Sequence, residues 1–309
     1  MRQVQRFALL ISACGLGLWA QRTPPPSAPA KVIVTTGHFY SRPAPPLTAN
    51  DLTVTQDYEP LPITKLVPLR GDRGGLDLFL LVDNCSNCEA GTQFEDLRKF
   101  INAQAAGTRV GVAYIHEGRL KVAVDPTSDR KQAIQALNTP TGNKPVSPFV
   151  ALAELIRDWK QDSSSRHAVL MISNGIDPEA NEGRQTASAE AAIQGAERAG
   201  VAVYAIYHPS ADYATADFQK IYTGQVQLAH VAIETGGEAY FLGFGPLPSL
   251  SPFLSDIADH LANQYLVEFL ARPGEAPELE EVTVKSKLSG VEIVAPSKVW
   301  IPAGPTKRP

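Results

Sequence analysis

The sequence predicts a doubly wound α/β domain with a mainly parallel sheet, and a small β-sandwich formed by the segments on either side of that domain. Apolar strands alternate with amphipathic helices between residues 73 and 264, which is typical of a parallel sheet covered on both faces. Short β-branched runs precede and follow this region. Because two or three strands are marginally stable alone, the two flanks are expected to pair with each other.

The amino-terminal segment predicts export. A basic start is followed by an apolar run, 7–20, which turns polar at Gln21. This run is shorter than the roughly 20 apolar residues that cross a bilayer, so a signal peptide removed near Ala20 is the preferred interpretation, with a periplasmic or secreted mature protein. Residues 11–14 also resemble a lipoprotein cleavage box, which makes a lipid anchor at Cys14 the alternative. No later stretch is apolar enough to span a membrane.

The segment after the signal peptide is rich in proline and predicts an extended linker. β-Branched runs at 31–36, 52–56 and 63–69 then predict short strands. The expected division of the chain is a signal peptide at 1–20, a linker at 21–30, an amino-terminal flank at 31–72, the α/β domain at 73–264, a carboxyl-terminal flank at 265–302 and a tail at 303–309.

The central region predicts strands where apolar residues run continuously and helices where they recur at helical spacing. Strands are expected at 76–82, 109–115, 120–124, 168–172, 201–207 and 238–242. Helices are expected at 92–104, 129–138, 148–161, 186–199, 226–235 and 251–264.

Strands return after residue 264, at 265–270, 281–285, 291–294 and 299–301. The formal net charge of −4 provides no field that would attract nucleic acid, so a nucleic-acid partner is not expected. The sequence does not indicate whether the protein is a monomer or an oligomer. Four histidines are scattered one to an element, and each is expected at the surface or in the core rather than in catalysis: His167, His208, His230 and His260. The aromatic residues expected in the core are Trp159, Tyr204, Tyr207, Tyr240 and Phe241.

Ligands bind at the carboxyl ends of the strands in doubly wound sheets, and two polar loops lie there, at 82–88 and 172–177. The apolar strand ending at Asp83, the run Ile172–Asp177, the step Glu234–Phe241 and the strand at Tyr265–Phe269 together resemble von Willebrand factor type A domains. The resemblance is closest to the bacterial exported group, in which β flanks lie on both sides of the type A domain, and it extends over about residues 47–302.

That family binds Mg²⁺ through Asp-x-Ser-x-Ser after the first strand, a Thr before the third helix and an Asp after the fourth strand. Asp83 matches the first Asp, but Cys85, Asn87, Val146 and Asn174 stand at the other ligand positions. A thiol is too soft for Mg²⁺, Val offers no ligand and Asn removes a charge. The resemblance therefore implies a degenerate metal site, with Asp83 a weak candidate ligand, Mg²⁺ possible but not favoured, and no cofactor expected. Asp83 and Asn174 are expected mainly to cap their loops.

The function implied by the resemblance is an exported, non-catalytic module that binds or scaffolds another protein through these loops. No motif of a metalloprotease, a nucleophile elbow or a phosphate loop is present, so an enzyme is not expected. Adhesion that depends on Mg²⁺ is a further alternative. The residues expected to bind the partner are Asp83, Asn84, Ser86, Asn87, Ser147, Ser173, Asn174 and Asp177.

Cys85 and Cys88 form a C-x-x-C sequence between a predicted strand and a predicted helix. A structural disulfide formed outside the cytoplasm is the favoured interpretation. Because helix N-termini lower the pKa of a thiol, a thiol-disulfide oxidoreductase that uses this pair is the alternative.

Overall fold

Three β-sheets and the helices packed on them make up the described part of the chain. The computed structural model describes residues 27–38, 45–83, 90–116, 119–137, 147–160, 164–178, 186–209, 217–245 and 248–304. In these ranges the strands are β1 (Ala28–His38), β2 (Leu52–Gln56), β3 (Glu59–Leu61), β4 (Ile63–Pro68), β5 (Leu76–Val82), β6 (Thr108–His116), β7 (Arg119–Thr127), β8 (Arg166–Ser173), β9 (Val201–Tyr207), β10 (Ala239–Tyr240), β11 (Gln264–Ala271), β12 (Glu278–Ser286), β13 (Val291–Val294) and β14 (Lys298–Ile301). The helices are α1 (Ala90–Ala103), α2 (Arg130–Gln135), α3 (Pro148–Asp158), α4 (Ala187–Ala199), α5 (Phe218–Glu234) and α6 (Ser251–Ala262).

The central sheet has the strand order β10-β9-β8-β5-β6-β7. All its pairs are parallel except β6 with β7, which is antiparallel. The middle strand β5 is buried along its whole length, which explains its nearly continuous apolar sequence. Its one acid, Asp77, accepts two hydrogen bonds of 2.6 Å from the Arg109 guanidinium, so the buried charge is paired.

Helices cover both faces of this sheet. Apolar residues of α1, α2 and α6 form one core with it, and those of α3, α4 and α5 form a second core on the other face. The described helices turn apolar residues toward the sheet, and α5 also carries Phe218 and Tyr222 on its exposed side. The doubly wound α/β architecture predicted from the sequence is confirmed.

The two flanks form one sandwich. One sheet has the order β13-β1-β11-β4 and the other β14-β12-β2-β3, so each combines strands from before and after the α/β domain. All pairs within these two sheets are antiparallel. A third hydrophobic core includes Val32, Val54, Phe269 and Val284, which come from both sheets. The predicted pairing of the flanks is therefore confirmed.

The α/β domain and the sandwich meet where α6 ends and β11 begins. Gln264 is 3% exposed, and its amide nitrogen donates to the Thr35 hydroxyl at 3.2 Å and to the Tyr204 hydroxyl at 3.4 Å. Arg166 donates to the Gln264 side-chain oxygen and to the backbone oxygen of Leu261. One buried side chain thus connects β1 of the sandwich to β9 of the central sheet.

Several predicted boundaries need correction. The linker predicted at 21–30 overlaps β1, which begins at Ala28. Pro29 is tolerated there because β11 is the only described strand beside this part of β1, so the missing N–H lies on an edge. Strand β3 was not predicted, since Pro60 lies inside it. Helix α5 begins at Phe218 rather than near residue 226, and β10 has two residues instead of the five predicted at 238–242.

Candidate functional site at the carboxyl edge of the sheet

Two of the predicted loops meet where β5 and β8 end. The backbone N–H of Asp83 donates to the backbone oxygen of Ile172 at 2.8 Å, which continues the pairing of the strands by one residue. The hydroxyl of Ser173 then donates to Asp83 Oδ2 at 2.6 Å. Ser173 is 1% exposed and Asp83 is half-buried. Asp83 therefore lies at the sheet edge, where Ser173 of the neighbouring strand β8 holds its carboxylate in place.

The loop after β8 is held by its own polar groups. Asn174 Oδ1 accepts a hydrogen bond of 2.8 Å from the backbone N–H of Ile176, and Ser173 Oγ accepts one of 3.1 Å from that of Gly175. Asn174 thus caps its own loop, whereas the loop that Asp83 was expected to cap lies outside the described residues. Gly175 has a φ of +67°, and a Cβ on it would lie 2.3 Å from the backbone oxygen of Gly224 on α5. Glycine at this position lets the loop lie directly against α5.

Asp177 organises a buried hydrogen-bond network at the start of two helices. It is 4% exposed, and its Oδ2 accepts hydrogen bonds from the hydroxyls of Ser147, at 2.8 Å, and Ser188. Ser147 is the residue before α3, while Thr186 caps α4 through the N–H of Ala189 and lies 2.9 Å from the Ser188 hydroxyl. The carboxylate thus fixes the N-termini of α3 and α4 against the β8 loop.

The structure brings part of the predicted binding set together. Asp83, Ser173 and Asn174 lie at the meeting of two loops, while Ser147 and Asp177 lie in the buried network behind them. Ser188 and Thr186 belong to that network but were not predicted, because hydroxyls on α4 carry no sequence signal linking them to Asp177. The predicted residues that fall outside the described ranges are Asn84, Cys85, Ser86, Asn87 and Cys88, so the binding role of this loop and the Cys85–Cys88 disulfide stay predictions.

His208 follows β9 at the same edge and is buried, with 6% of it exposed. Its Nδ1 lies 3.0 Å from the backbone oxygen of Pro209. Burial lowers the pKa of the imidazole, although the contact with Pro209 opposes this shift. The ring is neutral at pH 7 and adds no positive charge to the edge.

The described oxygen atoms that could bind a metal ion at this edge do not fit the Mg²⁺ site of the family that the sequence resembles. Of the matched ligand positions, Asp83 supplies the sole carboxylate, and it already accepts from Ser173. The oxygen of Asn174 is used by its own loop. Mg²⁺ requires several oxygen ligands in near-octahedral geometry and gives up its water reluctantly. A single engaged carboxylate and an engaged amide provide little to replace that water.

An exposed apolar surface lies beside the loop that follows β8. We define the aromatic patch as Phe218, Tyr222, Leu242 and Phe244, which come from α5 and from the segment after β10. The rings of Phe218 and Phe244 pack edge to face with centroids 4.6 Å apart, yet Phe218 is 56%, Tyr222 54% and Leu242 70% exposed. The close contact of Gly224 with the β8 loop places the first turns of α5 next to Asn174.

The aromatic patch was not predicted. Phe241, which was expected in the core with its neighbour Tyr240, is 44% exposed, and that expectation was wrong. Because β10 ends at Tyr240, Phe241 begins the exposed segment instead of continuing the strand. Tyr204, Tyr207 and Tyr240 are buried as predicted.

Six strands in the order described, one of them antiparallel at the edge, with helices on both faces, form the architecture that the sequence resemblance implies. The central domain therefore has the doubly wound α/β architecture of the family that the sequence resembles. No protein-family model and no curated protein sequence matches the chain. Among the described residues, no helix is both long and apolar enough to cross a membrane.

Solved structures similar to this chain include type A domains. BatB from Bacteroides thetaiotaomicron is 13% identical, with 61% of this chain and 98% of that chain covered and a TM-score of 0.43. A von Willebrand factor type A protein from Catenulispora acidiphila is 11% identical, with 92% and 76% covered and a TM-score of 0.43. Three amino-terminal domains of the type V pili tip protein Mfa5 from Porphyromonas gingivalis are 9% identical, with 92% and 67% covered and a TM-score of 0.43. These similarities concern the fold alone.

Proposed function

We propose that this protein is an exported, non-catalytic binding module that engages another protein through the carboxyl edge of its type A domain. The observation that carries the proposal is the aromatic patch beside the Asp83 and Asn174 loops. Export rests on the basic, apolar and polar succession of the first 21 residues.

The aromatic patch has the composition of a protein interface. Exposed aromatic side chains cost free energy in water, and clusters of them on an otherwise polar surface mark interaction sites. Tyr and Phe are enriched at the centres of protein interfaces because they bury a large area with few rotatable bonds. Phe218 and Tyr222 are one helical turn apart, so they present one continuous surface.

The polar loops supply the rim of this surface. Asp83 and Asn174 are half-buried, with hydrogen bonds that fix their position, while Ser173 and Asp177 are buried behind them. Residues whose positions are already fixed by hydrogen bonds lose little conformational entropy when a partner binds. The buried residues of the predicted set therefore act by positioning the β8 loop, and the half-buried Asp83 and Asn174 contact the partner.

Binding of the partner does not depend on Mg²⁺ in this proposal. Hydrogen bonds hold Asp83 and Asn174 at two of the positions where the family would use metal ligands. Apolar contact with the aromatic patch supplies the affinity that a shared metal ligand would otherwise give.

The experiment compares partner capture by three tag-free chains immobilised through their carboxyl terminus. The wild type, a Phe218→Ser/Leu242→Ser variant and a Tyr58→Ser control are exposed to native cell-envelope extract, and retained proteins are quantified by mass spectrometry. Tyr58 is a fully exposed aromatic residue of the sandwich, between β2 and β3. We expect the patch variant to retain about 30-fold less partner, as loss of an anchor worth about 2 kcal/mol would cause, and the control to retain a normal amount.

A chelator arm and calorimetry with Mg²⁺ test the metal independence. We expect capture to be unchanged by chelator and no Mg²⁺ binding tighter than about 100 μM, or about 5.5 kcal/mol. Equal capture by the patch variant contradicts the binding surface. Tighter Mg²⁺ binding that disappears in Asp83→Ala supports metal-dependent adhesion instead.

A further inference from the structure

Three side chains with metal-binding chemistry converge beside the start of β10, the short edge strand of the central sheet. Glu238 precedes β10, and Asp256 and His260 lie one turn apart on α6. His260 Nδ1 lies 3.5 Å from Glu238 Oε2, and His260 Nε2 lies 3.9 Å from Asp256 Oδ2. One ligand atom from each residue lies within 4.8 Å of the other two.

Rigid elements hold all three residues. The backbone oxygen of Glu238 accepts a hydrogen bond of 2.9 Å from the N–H of Ala205 on β9. The Tyr240 hydroxyl donates to Asp256 Oδ2 at 2.8 Å and so orients that carboxylate. The side chain of His260 is 13% exposed, while those of Glu238 and Asp256 are 46% and 52% exposed. An ion could therefore reach the group from solvent and find its nitrogen ligand already fixed.

The charge around His260 favours a cation. The carboxylates of Glu238 and Asp256 lie 3.5 Å and 3.9 Å from the two ring nitrogens of His260. A divalent cation bound among the three groups would balance both carboxylate charges and take the imidazole in its neutral form, as a metal ligand must be.

We propose that Glu238, Asp256 and His260 bind a divalent transition-metal ion, with Zn²⁺ as the preferred occupant. One nitrogen and two carboxylate oxygens are a ligand set that Zn²⁺ accepts, with water completing the coordination. Bonds of about 2.0 to 2.2 Å to a tetrahedral ion place neighbouring ligand atoms about 3.4 Å apart, which agrees with the 3.5 Å between Glu238 and His260. Asp256 Oδ2 lies 3.9 Å from the other ring nitrogen of His260, so this carboxylate must move from its place beside Tyr240 to reach the same ion.

This site shares no residue with the proposed partner surface, since Glu238 precedes β10 whereas Leu242 and Phe244 follow it. A bound ion would connect α6 to the start of β10, close to Glu292 on β13 of the sandwich. Zn²⁺ is therefore expected to raise the stability of the folded chain through binding to the native state alone.

The test is calorimetric titration of Zn²⁺ into the tag-free mature chain, with Co²⁺ absorption spectra as a second readout of coordination. We expect one site with a Kd of about 10 μM or tighter. His260→Gln should weaken it by more than about tenfold, because even an outer-shell partner of a metal ligand typically contributes 10- to 100-fold. Asp256→Asn, which preserves the shape and an acceptor for Tyr240, should weaken binding similarly.

His230→Gln is the matched control. His230 Nδ1 lies 3.8 Å from Glu234 Oε1 on α5, so it reproduces a His and Glu pair for which the described residues offer no third ligand. We expect Zn²⁺ affinity to be unchanged in this variant. Absence of binding at about 100 μM Zn²⁺, or equal affinity in His260→Gln and the wild type, overturns the proposal.

Discussion

Asp177 shows how a single buried carboxylate can set the geometry of a binding edge. Its partners, Ser147 and Ser188, stand at the beginnings of α3 and α4, whose N-termini favour negative charge. A buried acceptor shared by two hydroxyls makes each of the three groups costly to remove, because any partner left behind is unsatisfied. The carboxylate thus ties the β8 loop to both helices.

Replacing Asp177 should therefore destabilise the type A domain. We expect Asp177→Ala to lower the free energy of unfolding by about 2 to 3 kcal/mol, since both hydroxyls lose their acceptor. Asp177→Asn keeps one acceptor oxygen and should cost about 1 kcal/mol. Urea unfolding followed by circular dichroism measures both. A loss below about 0.5 kcal/mol for Asp177→Ala, the usual range for a surface change, contradicts the network.

At the scale of elements, the contact between α5 and the β8 loop depends on two glycines. Gly224 is inside α5, where glycine is a poor helix former, yet a Cβ there would lie 2.5 Å from the backbone oxygen of Asn174. Gly175 makes the reciprocal approach from the loop. Glycine therefore lowers the intrinsic stability of α5 at this residue but allows the β8 loop to lie against the helix.

Helix propensity favours Ala over Gly, whereas the close contact with the β8 loop leaves no room for a Cβ at residue 224. Two Gly→Ala changes are therefore expected to have opposite effects on stability. Gly224→Ala should destabilise the chain by about 1 to 3 kcal/mol through overpacking, despite the better helix propensity of Ala. Gly195 on α4 has open space where a Cβ would be, so Gly195→Ala should stabilise by up to about 1 kcal/mol. Thermal unfolding of both variants gives the comparison. Equal melting temperatures would show that the α5 contact does not constrain residue 224.

The elements that sequence reasoning found are those whose apolar pattern is unambiguous. Leu76–Val82 is apolar at nearly every position and is the buried central strand. The start of α5 was missed because its first turns carry Phe218 and Tyr222 on the solvent side, which blurs the helical period. The cluster of Glu238, Asp256 and His260 was missed because Glu238 lies near α6 only in the folded chain. The spacing of Asp256 and His260, which places both on one face of a helix, was a usable signal.

At the scale of the whole molecule, a cleft of about 680 Å³ separates α4 and α5 from strand β12 of the sandwich. Glu197 of α4 lines it, is 5% exposed, and accepts a hydrogen bond of 3.1 Å from the backbone N–H of Lys298. Burial raises the pKa of Glu197 to about 7; Lys298 opposes the shift, while Glu234 and Glu190 add to it. A carboxyl group with a pKa near neutral pH therefore links α4 of the α/β domain to β14 of the sandwich through a hydrogen bond.

This pKa makes stability depend on pH. The ordinary pKa of the carboxyl is 4.5, so between that value and about 7 the folded state binds more protons than the unfolded state. The free energy of unfolding then falls as the pH rises, by at most about 3 kcal/mol from this residue. Glu197→Gln should flatten the profile.

Urea unfolding at about pH 5 and about pH 8, on the wild type and Glu197→Gln, measures this contribution. Glu281→Gln, which changes an exposed residue of β12 in the same cleft, serves as the control and should keep the wild-type slope. If Glu197→Gln loses as much stability as the wild type between the two pH values, the carboxyl does not titrate in this range.

The sandwich also has a consequence for biosynthesis. Val32 of β1 pairs with Val267 of β11, which the ribosome adds 235 residues later. At about 5 to 20 residues per second, the first strands wait about 12 to 50 seconds for their partners, while the whole type A domain emerges between them. During that interval their unpaired edges can template association between nascent chains. Holding the chain unfolded until synthesis is complete, as post-translational export requires, would remove this hazard.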